Sequence, residues 1–451
     1  MKPTLCPVPS LSEIPTEELT AELLRRRTEE LTGKAILRVE EALDEAMTRQ
    51  HAEHMQSYLQ QASQLESAEP KPCPRCGKPA AVRAYRRPRT LHTVSGKQTL
   101  VRNYHVCASC EQGFYPLDVA LGLPQTGSMT PRTKARVVDL AVNAPYEEAA
   151  QRWSVHYGSS LSEHAVRDAL NHVMGLPEQV EPAPERPEAP QVLVVQNDGG
   201  MVLTRELGWK EVKVAVVYDP QHARQGDRFA RGHLTHASYL AELAQPAAFA
   251  SQLQLLLQAR GASEAKRVVW LGDGAPSNWT LCDALCPDAL QLLDWYHLMS
   301  HAGTCAKQLF TDKEAACREV WLDRVAFLAS RGPTAPLLRE LELCRFECGA
   351  ADAKHNALRA FHRYVKTNQA RMDYPQARAW AAPIGSGAVE SAHRHVIQTR
   401  MKLAGQRWSL DKAQGLVRLR AAYRTLGPQA FFAQMAQRVS NDNGIETAIA
   451  A

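Results

Sequence analysis

Two apolar runs, each ending in an aspartate, constrain what this chain can fold into more than any other feature. Val192-Leu193-Val194-Val195-Gln196-Asn197 leads to Asp198 and a pair of glycines, and Arg267-Val268-Val269-Trp270-Leu271-Gly272 leads to Asp273-Gly274. Runs this short and this apolar predict buried strands, with each aspartate at or near a strand end. Open α/β sheets gather ligands beyond the carboxyl ends of their strands, so the two carboxylates are expected to converge. A third carboxylate, Glu390, lies in the first turn of a helix opened by Gly385-Ser386-Gly387. Ser386 is the expected N-cap, and Val389, Ile397 and Met401 form the apolar face. A lone carboxylate there commonly serves the cap and the helix dipole. Beside two strand-end aspartates it also reads as the third arm of a divalent metal site. Hard oxygen donors suit Mg²⁺ or Mn²⁺, and two such ions can clamp an in-line phosphoryl displacement.

Around these runs the pattern is that of an RNase H-like mixed sheet. Lys210–Asp219 alternates as a second strand antiparallel to the first, and a third is expected around His236. Ala247–Arg260 reads as a helix, Val268–Leu271 as the fourth strand and Leu290–Leu293 as the fifth. The step of 117 residues from Asp273 to Glu390 is filled by helical periodicity and predicts an all-helical insertion. Asp294 ends the fifth strand and His297 follows three residues later. Both are expected near the metals, in a supporting or DNA-contact role shared with Arg394. The structural alternative makes Asp294 a helix cap and His297 a core or stacking residue.

Upstream, Cys73-Pro74-Arg75-Cys76 and Cys107-Ala108-Ser109-Cys110 supply the four thiolates that Zn²⁺ prefers. The gap between them holds two strand-like runs, Ala81–Tyr85 and Leu100–Tyr104. From Lys71 to Cys110 there are nine Lys/Arg and no acid. A purely structural knot has no need of that imbalance and phosphate contact does, so Arg83, Arg86, Arg87, Arg89 and Arg102 are expected on DNA. Pro131–Ala144, Tyr146–Ser154 and Ser162–Met174 read as helices, the last two joined by a Gly-bearing turn. That is either a helix-turn-helix module presenting His164 and Arg167 to a groove or an ordinary three-helix bundle. Residues 391–424 carry eight Lys/Arg against one acid, with Trp408 among them. This fits a nucleic-acid track containing Arg400, Lys402 and Arg407.

Composition sets limits. A chain of 451 residues with 45% hydrophobic and 22% charged residues can bury ample core, and its net charge of +5 is modest. Eleven cysteines, four of them in CxxC pairs, favour a reducing cytosol over a disulfide framework. No apolar run approaches a membrane span, so a cytoplasmic protein is expected. The amphipathic pattern over Thr16–Gln64 predicts helices that either pack on the body or self-associate.

Asp198, Gly272-Asp273-Gly274-Ala275-Pro276, Leu293-Asp294-Trp295-Tyr296-His297, Gly385-Ser386-Gly387 through Glu390, Arg400-Met401-Lys402, Gly405 and Arg407-Trp408-Ser409 occur in one order. From about residue 70 to 430 the chain resembles the DDE transposases of bacterial insertion sequences. The likeness is to the Kra-type group, distantly related to the Mutator-like transposases. Ser277-Asn278 depart from that pattern, which has Trp-Ile after the second aspartate. The resemblance implies binding of double-stranded DNA at terminal inverted repeats and at the target, a homo-oligomer, and cleavage followed by strand transfer. Catalysis would fall to Asp198, Asp273 and Glu390 with two Mg²⁺ or Mn²⁺ ions, beside a structural Zn²⁺ on Cys73, Cys76, Cys107 and Cys110. The Mutator-like families carry a histidine at the place of His297. A stand-alone nuclease of the same fold and a non-catalytic zinc and helix-turn-helix regulator are the alternatives.

The expected organisation starts with a helical region at 1–68, a zinc-ribbon-like module at 69–124 and a helix-turn-helix-like module at 125–176. A Pro- and Glu-rich linker at 177–191 follows. The RNase H-like core occupies 192–302 and 383–437, interrupted by the helical insertion at 303–382, and 438–451 is a frayed tail.

Overall fold

A computed structural model of the chain describes residues 36–124, 127–176, 189–224, 233–243, 245–347 and 353–442, with Ala21 and Arg25. The expected helix before residue 36, most of the linker and the end of the tail lie outside the described residues. The fold is mixed α/β and divides into two compact units. One is drawn from the chain up to Val137, Glu147–Val166 and the residues from Ala436 on; the other holds Val138–Tyr146 and Arg167–Met435.

In the first unit a four-stranded meander runs β1 (Lys71–Pro72), β2 (Pro79–Thr93), β3 (Gly96–Cys107) and β4 (Gly113–Phe114), in that spatial order. The β2–β3 hairpin is far longer than the two short runs expected from sequence. Its register breaks twice, between Val82 and Ala84 and between Ala84 and Arg87. Arg86 sits at the second break with φ of 53° and donates its N–H to Asn103 Oδ1 at 3.1 Å. Helix α1 (Ile36–Leu65) lies along the free edge of β3. Gln56 Oε1 accepts from Thr99 N (2.9 Å), Ser63 Oγ from Val101 N (3.2 Å) and Glu66 Oε2 from Asn103 N (2.7 Å). Every second N–H of an otherwise unpaired edge is thereby satisfied. Helix α2 (Pro116–Ala120) brings Asp118 beneath the hairpin. Leu59, Leu91, Leu100, Leu117 and Leu123 close the core there. Three helices follow along the chain, α3 (Pro131–Asn143), α4 (Tyr146–Tyr157) and α5 (Glu163–Gly175), of which α3 and α5 each pass from the first unit into the second. Between α4 and α5, Gly158 takes φ of 61° and Trp153 Nε1 donates to Ser159 Oγ at 3.0 Å.

The second unit is built on a five-stranded sheet. Its strands are β5 (Val192–Thr204), β6 (Gly208–Tyr218), β7 (Ser238–Glu242), β8 (Arg267–Gly272) and β9 (Leu290–Leu293), in the order β9-β8-β5-β6-β7. β5, β6 and β7 are antiparallel neighbours, whereas β8 runs parallel to both β5 and β9. Val194, Val195, Val214, Val216, Trp270 and Leu292 are fully buried in it, which is why these runs read as continuous apolar stretches. α6 (Pro246–Ala259) packs on β6 and β7 through Phe249, Leu253 and Leu257. After α7 (Pro276–Leu285) and β9 the described chain is helical: α8 (Trp295–Leu309), α9 (Ala315–Ala329), α10 (Ala335–Phe346), α11 (Ala353–Asn368) and α12 (Tyr374–Ala379). α13 (Gly387–Ala392) then continues through a π-helical stretch, His393–Gln398, into a last turn, Thr399–Met401. The closing helix α14 (Leu410–Asn441) kinks at Gly427, φ 75°, ahead of Pro428. Residues 438–441 are thus helical, not part of a frayed tail.

Two features correct the sequence expectations. Asp198 does not end its strand, because β5 runs six residues further as a hairpin with β6, pairing Asp198 with Val214. Two arginines of the basic run 391–424, Arg400 and Arg420, are internal. Arg400 is 1% exposed, donates Nε to Ala141 O at 3.1 Å and lies over both Tyr146 and Trp408 at 5.1 Å. Trp408 is itself buried, its Nε1 donating to Met401 O at 3.2 Å. Arg420, 5% exposed, donates to Val396 O (2.6 Å), Thr399 Oγ1 (2.8 Å) and the carbonyls of His395 and Val142. Burial holds its pKa down at about 10. A π turn spoils the regular carbonyl ladder of a helix, and this guanidinium takes up oxygens of that stretch. Arg400 is therefore a packing residue and not a DNA contact, and the same holds for Arg89 and Arg102. Both are buried and donate to Asp118 Oδ2 at 2.8 Å. The acid that balances them lies just beyond the acid-free window.

Candidate active site

The parallel half of the second sheet sets the site. β5 and β8 pair through Gln196 with Leu271, and β8 and β9 through Gly272 with Leu293. Carried on by one or two residues, that register brings Asp198, Asp273 and Asp294 to one level across three adjacent strands. Neighbouring strands stand about 4.8 Å apart. Each carboxylate is separately held.

Asp273 Oδ1 accepts from Ala275 N at 2.9 Å and from Asn278 Nδ2 at 2.8 Å. Asn278 Oδ1 in turn accepts from Asn197 Nδ2 (2.7 Å), and Asn197 Oδ1 from Trp270 Nε1 (2.9 Å). A chain of buried amides thus runs from the sheet core to Asp273. Asn278, which departs from the family pattern, is the residue that orients the second aspartate. Gly274, at φ of 97°, lets the chain turn away at once into α7.

Asp294 is fully buried and caps α8, as the structural alternative had it. Its oxygens accept from Tyr296 N (3.3 Å), His297 N (3.0 Å), His297 Nδ1 (2.5 Å) and Ser386 N (2.7 Å). With its lone pairs taken by four donors and no exposure, it has little left to offer a metal or DNA. It instead fixes His297 and ties α8 to the turn before α13. Burial pushes the Asp294 pKa up, but these donors outweigh it and the pKa falls below the ordinary value. The Asp294 bond raises the His297 pKa against the opposing effect of burial, with the charges of Asp273 and Asp198 adding to the rise.

Glu390 is exposed on α13, one oxygen accepting from Ser386 Oγ at 2.8 Å. Ser386 acts on the glutamate side chain and not on a helix N–H, so it is no side-chain cap. Gln196 holds the start of this helix to the sheet, its Oε1 accepting from Val389 N at 3.1 Å. Three residues after Glu390, His393 Nε2 stands 3.2 Å from Asp198 Oδ2. A Cβ on Gly200 would meet the His393 ring at 2.7 Å, so glycine there makes room for the histidine. Burial raises the Asp198 pKa, but the His393 bond and the Gly199 N–H outweigh it and lower it. His393 and Asn278 are functional candidates absent from the sequence expectations. The spacing of His393 from Glu390 was the available signal; nothing local marks Asn278.

The described structure does not draw Asp198, Asp273 and Glu390 into a closed ligand shell. Among the described residues, the group of three or more donors within 4.8 Å of one another is Cys73, Cys76, Cys107 and Cys110. Cys73 Sγ lies 3.5 Å from Cys110 Sγ, and Cys76 Sγ 3.5 Å from Cys107 Sγ. A tetrahedral ZnS₄ centre with Zn–S of about 2.3 Å needs S···S near 3.8 Å, so the cluster could hold a zinc ion. The two knuckles match: Gly77 N donates to Cys73 O and Glu111 N to Cys107 O, both at 2.9 Å. Gly77 and Glu111 take the same left-handed turn, φ 71° and 58°. Backbone N–H from Ser109 leads in bringing the Cys107 pKa to about 6, while at Cys110 the Gln112 N–H is outweighed by burial and the neighbouring thiols, which push that pKa up to about 12.

Of the other expected contacts, Arg83, Arg86, Arg87, His164, Arg167, Arg394, Lys402 and Arg407 are exposed. Ser162 Oγ accepts from Ala165 N at 3.2 Å at the head of α5, the helix that carries His164 and Arg167.

Residues 79–431 match UPF0236, an uncharacterised protein family. No curated protein matches. Among solved structures, the Drosophila P element transposase strand transfer complex is similar at 10% identity and a TM-score of 0.25, covering 72% of this chain and 94% of that one.

Proposed function

The chain belongs to the uncharacterised protein family UPF0236, and within it we propose an insertion-sequence DNA transposase. Its work would be to cut DNA at element ends and join the freed 3′-hydroxyl to target DNA. The observation that carries this is the level placement of Asp198 and Asp273 on adjacent parallel strands, beneath the helix that bears Glu390 and His393. The order β9-β8-β5-β6-β7, with three antiparallel strands followed by parallel ones, suits an RNase H-like core. The ordered sequence motifs point the same way.

Asp198, Asp273 and Glu390 offer the hard oxygens that Mg²⁺ or Mn²⁺ favours. Bound there, the cations would neutralise charge on the reacting phosphate. The residues of the chain do the positioning. Asn278 aims Asp273, His393 stands against Asp198, and Ser386 holds Glu390. His297, its Nδ1 bonded to Asp294 and its pKa raised by that bond, is the candidate proton donor beside the carboxylate row. No covalent protein nucleophile is needed. The four-cysteine cluster would hold structural zinc, and Arg83, Arg86 and Arg87 on its hairpin, with Lys402 and Arg407 in the other unit, would meet phosphates.

A labelled duplex carrying the inverted repeat beside the gene, incubated with a supercoiled target plasmid and Mg²⁺, tests this. Joined products support a transposase. Cleavage without joining indicates a nuclease, and binding alone a regulator.

A further inference from the structure

Tyr296 is 62% exposed, yet its ring is held in place. One side lies on Gly385, where any Cβ would collide with it, Cδ2 standing 2.8 Å away. Its own N–H donates to Asp294 Oδ1 at 3.3 Å. The preceding Trp295 donates N–H to Ile384 O at 2.9 Å and packs edge-on against buried Tyr374, centroids 5.1 Å apart. Ser386 N closes the other strand of this zipper on Asp294 at 2.7 Å. The ring therefore bridges the segment of His297 and the turn that starts the helix of Glu390, with its remaining surface in water. Seated against Gly385 with most of its surface open, the ring offers a stacking face beside the turn that leads to Glu390.

We propose that Tyr296 is a nucleobase platform, stacking on the base next to the scissile phosphate and so selecting which phosphodiester reaches Asp198, Asp273 and Glu390. This rests on the transposase reading and adds a subsite to it. Stacking engages any base, so the platform sets position along the strand more than sequence.

The test uses the full chain, Mg²⁺ and the inverted-repeat duplex, intact or with one abasic site stepped across the cleavage position. Tyr296→Ala should lower kcat/KM on intact DNA by about 10- to 100-fold, the range one stacked base supplies, and Tyr296→Phe should keep it. One abasic position should cost the wild type the same factor and cost Tyr296→Ala nothing further. Equal losses for wild type and Tyr296→Ala at every abasic position would overturn the platform, as would wild-type rates for Tyr296→Ala on intact DNA. A wild-type protein that cuts none of these duplexes would instead overturn the transposase reading, and the platform with it.

Discussion

At the scale of single residues, the site depends on side chains that aim other side chains. Asn278→Ala removes the amide that fixes Asp273 Oδ1 and strands the Asn197–Trp270 pair behind it. A cleavage rate lowered by roughly 10- to 100-fold with DNA affinity unchanged is expected, as misplacement of a group by about 1 Å can cost that much. Single-turnover kinetics beside a gel shift would check it. The Asp294–His297 pair makes a pH prediction. A histidine pKa raised on folding adds stability that is complete below the unfolded value, near 6.5, and is lost as pH rises through the folded one. A carboxylate pKa lowered on folding adds stability that is lost as pH falls through its folded value. The pair is intact between the two. NMR titration of metal-free protein should place His297 above the ordinary histidine range, and Asp294→Asn should bring it down; an unmoved titration would contradict the pairing. Asp273 and Glu390 are legible in sequence because an apolar run or a glycine turn marks each. Arg400 was misleading for a physical reason: an arginine belongs inside when the fold leaves carbonyls to accept from it, and only the tertiary structure tells where those are.

At the scale of elements, two long helices perform the same task. α1 gives Gln56, Ser63 and Glu66 to the open edge of β3. α14 gives Thr425 to Tyr239 N (2.9 Å) and Gln414 to Leu243 N (2.7 Å) on the open edge of β7. Arg418 on α14 adds two bonds to buried Glu242, at 2.7 and 2.8 Å. Sheet edges left bare invite pairing with another chain, and here they are covered by side chains. The strands themselves were readable from their apolar runs, to within a residue or two for β8 and β9. The polar covering was not, because Gln, Ser, Thr and Glu at helical spacing look like a solvated face. The π stretch was equally silent in sequence. Arg420→Met should cost about 3 kcal/mol by leaving carbonyls unpaired, measured as a lowered urea midpoint with unchanged slope. A midpoint equal to wild type would mean that the π stretch does not need the guanidinium.

At the scale of the whole molecule, phosphate contact falls to exposed cations alone. Of the arginines expected on DNA in the hairpin module, Arg83, Arg86 and Arg87 are exposed whereas Arg89 and Arg102 are consumed by Asp118. Replacing the first three by alanine should weaken end binding and flatten its salt dependence by nearly three, at about 0.9 per phosphate contact. An unchanged slope would move the interface elsewhere. The central claim is that the acid row and the helix of Glu390 form one metal-dependent cleavage centre. The most direct measurement is Mg²⁺-dependent cleavage of the inverted-repeat duplex by wild type and by Asp198→Asn, Asp273→Asn and Glu390→Gln, with binding followed in parallel. Each variant should bind the duplex as wild type does and cleave it more slowly by roughly 10³-fold, in line with loss of a group that stabilises developing charge. Cleavage near the wild-type rate in any of the three would contradict it.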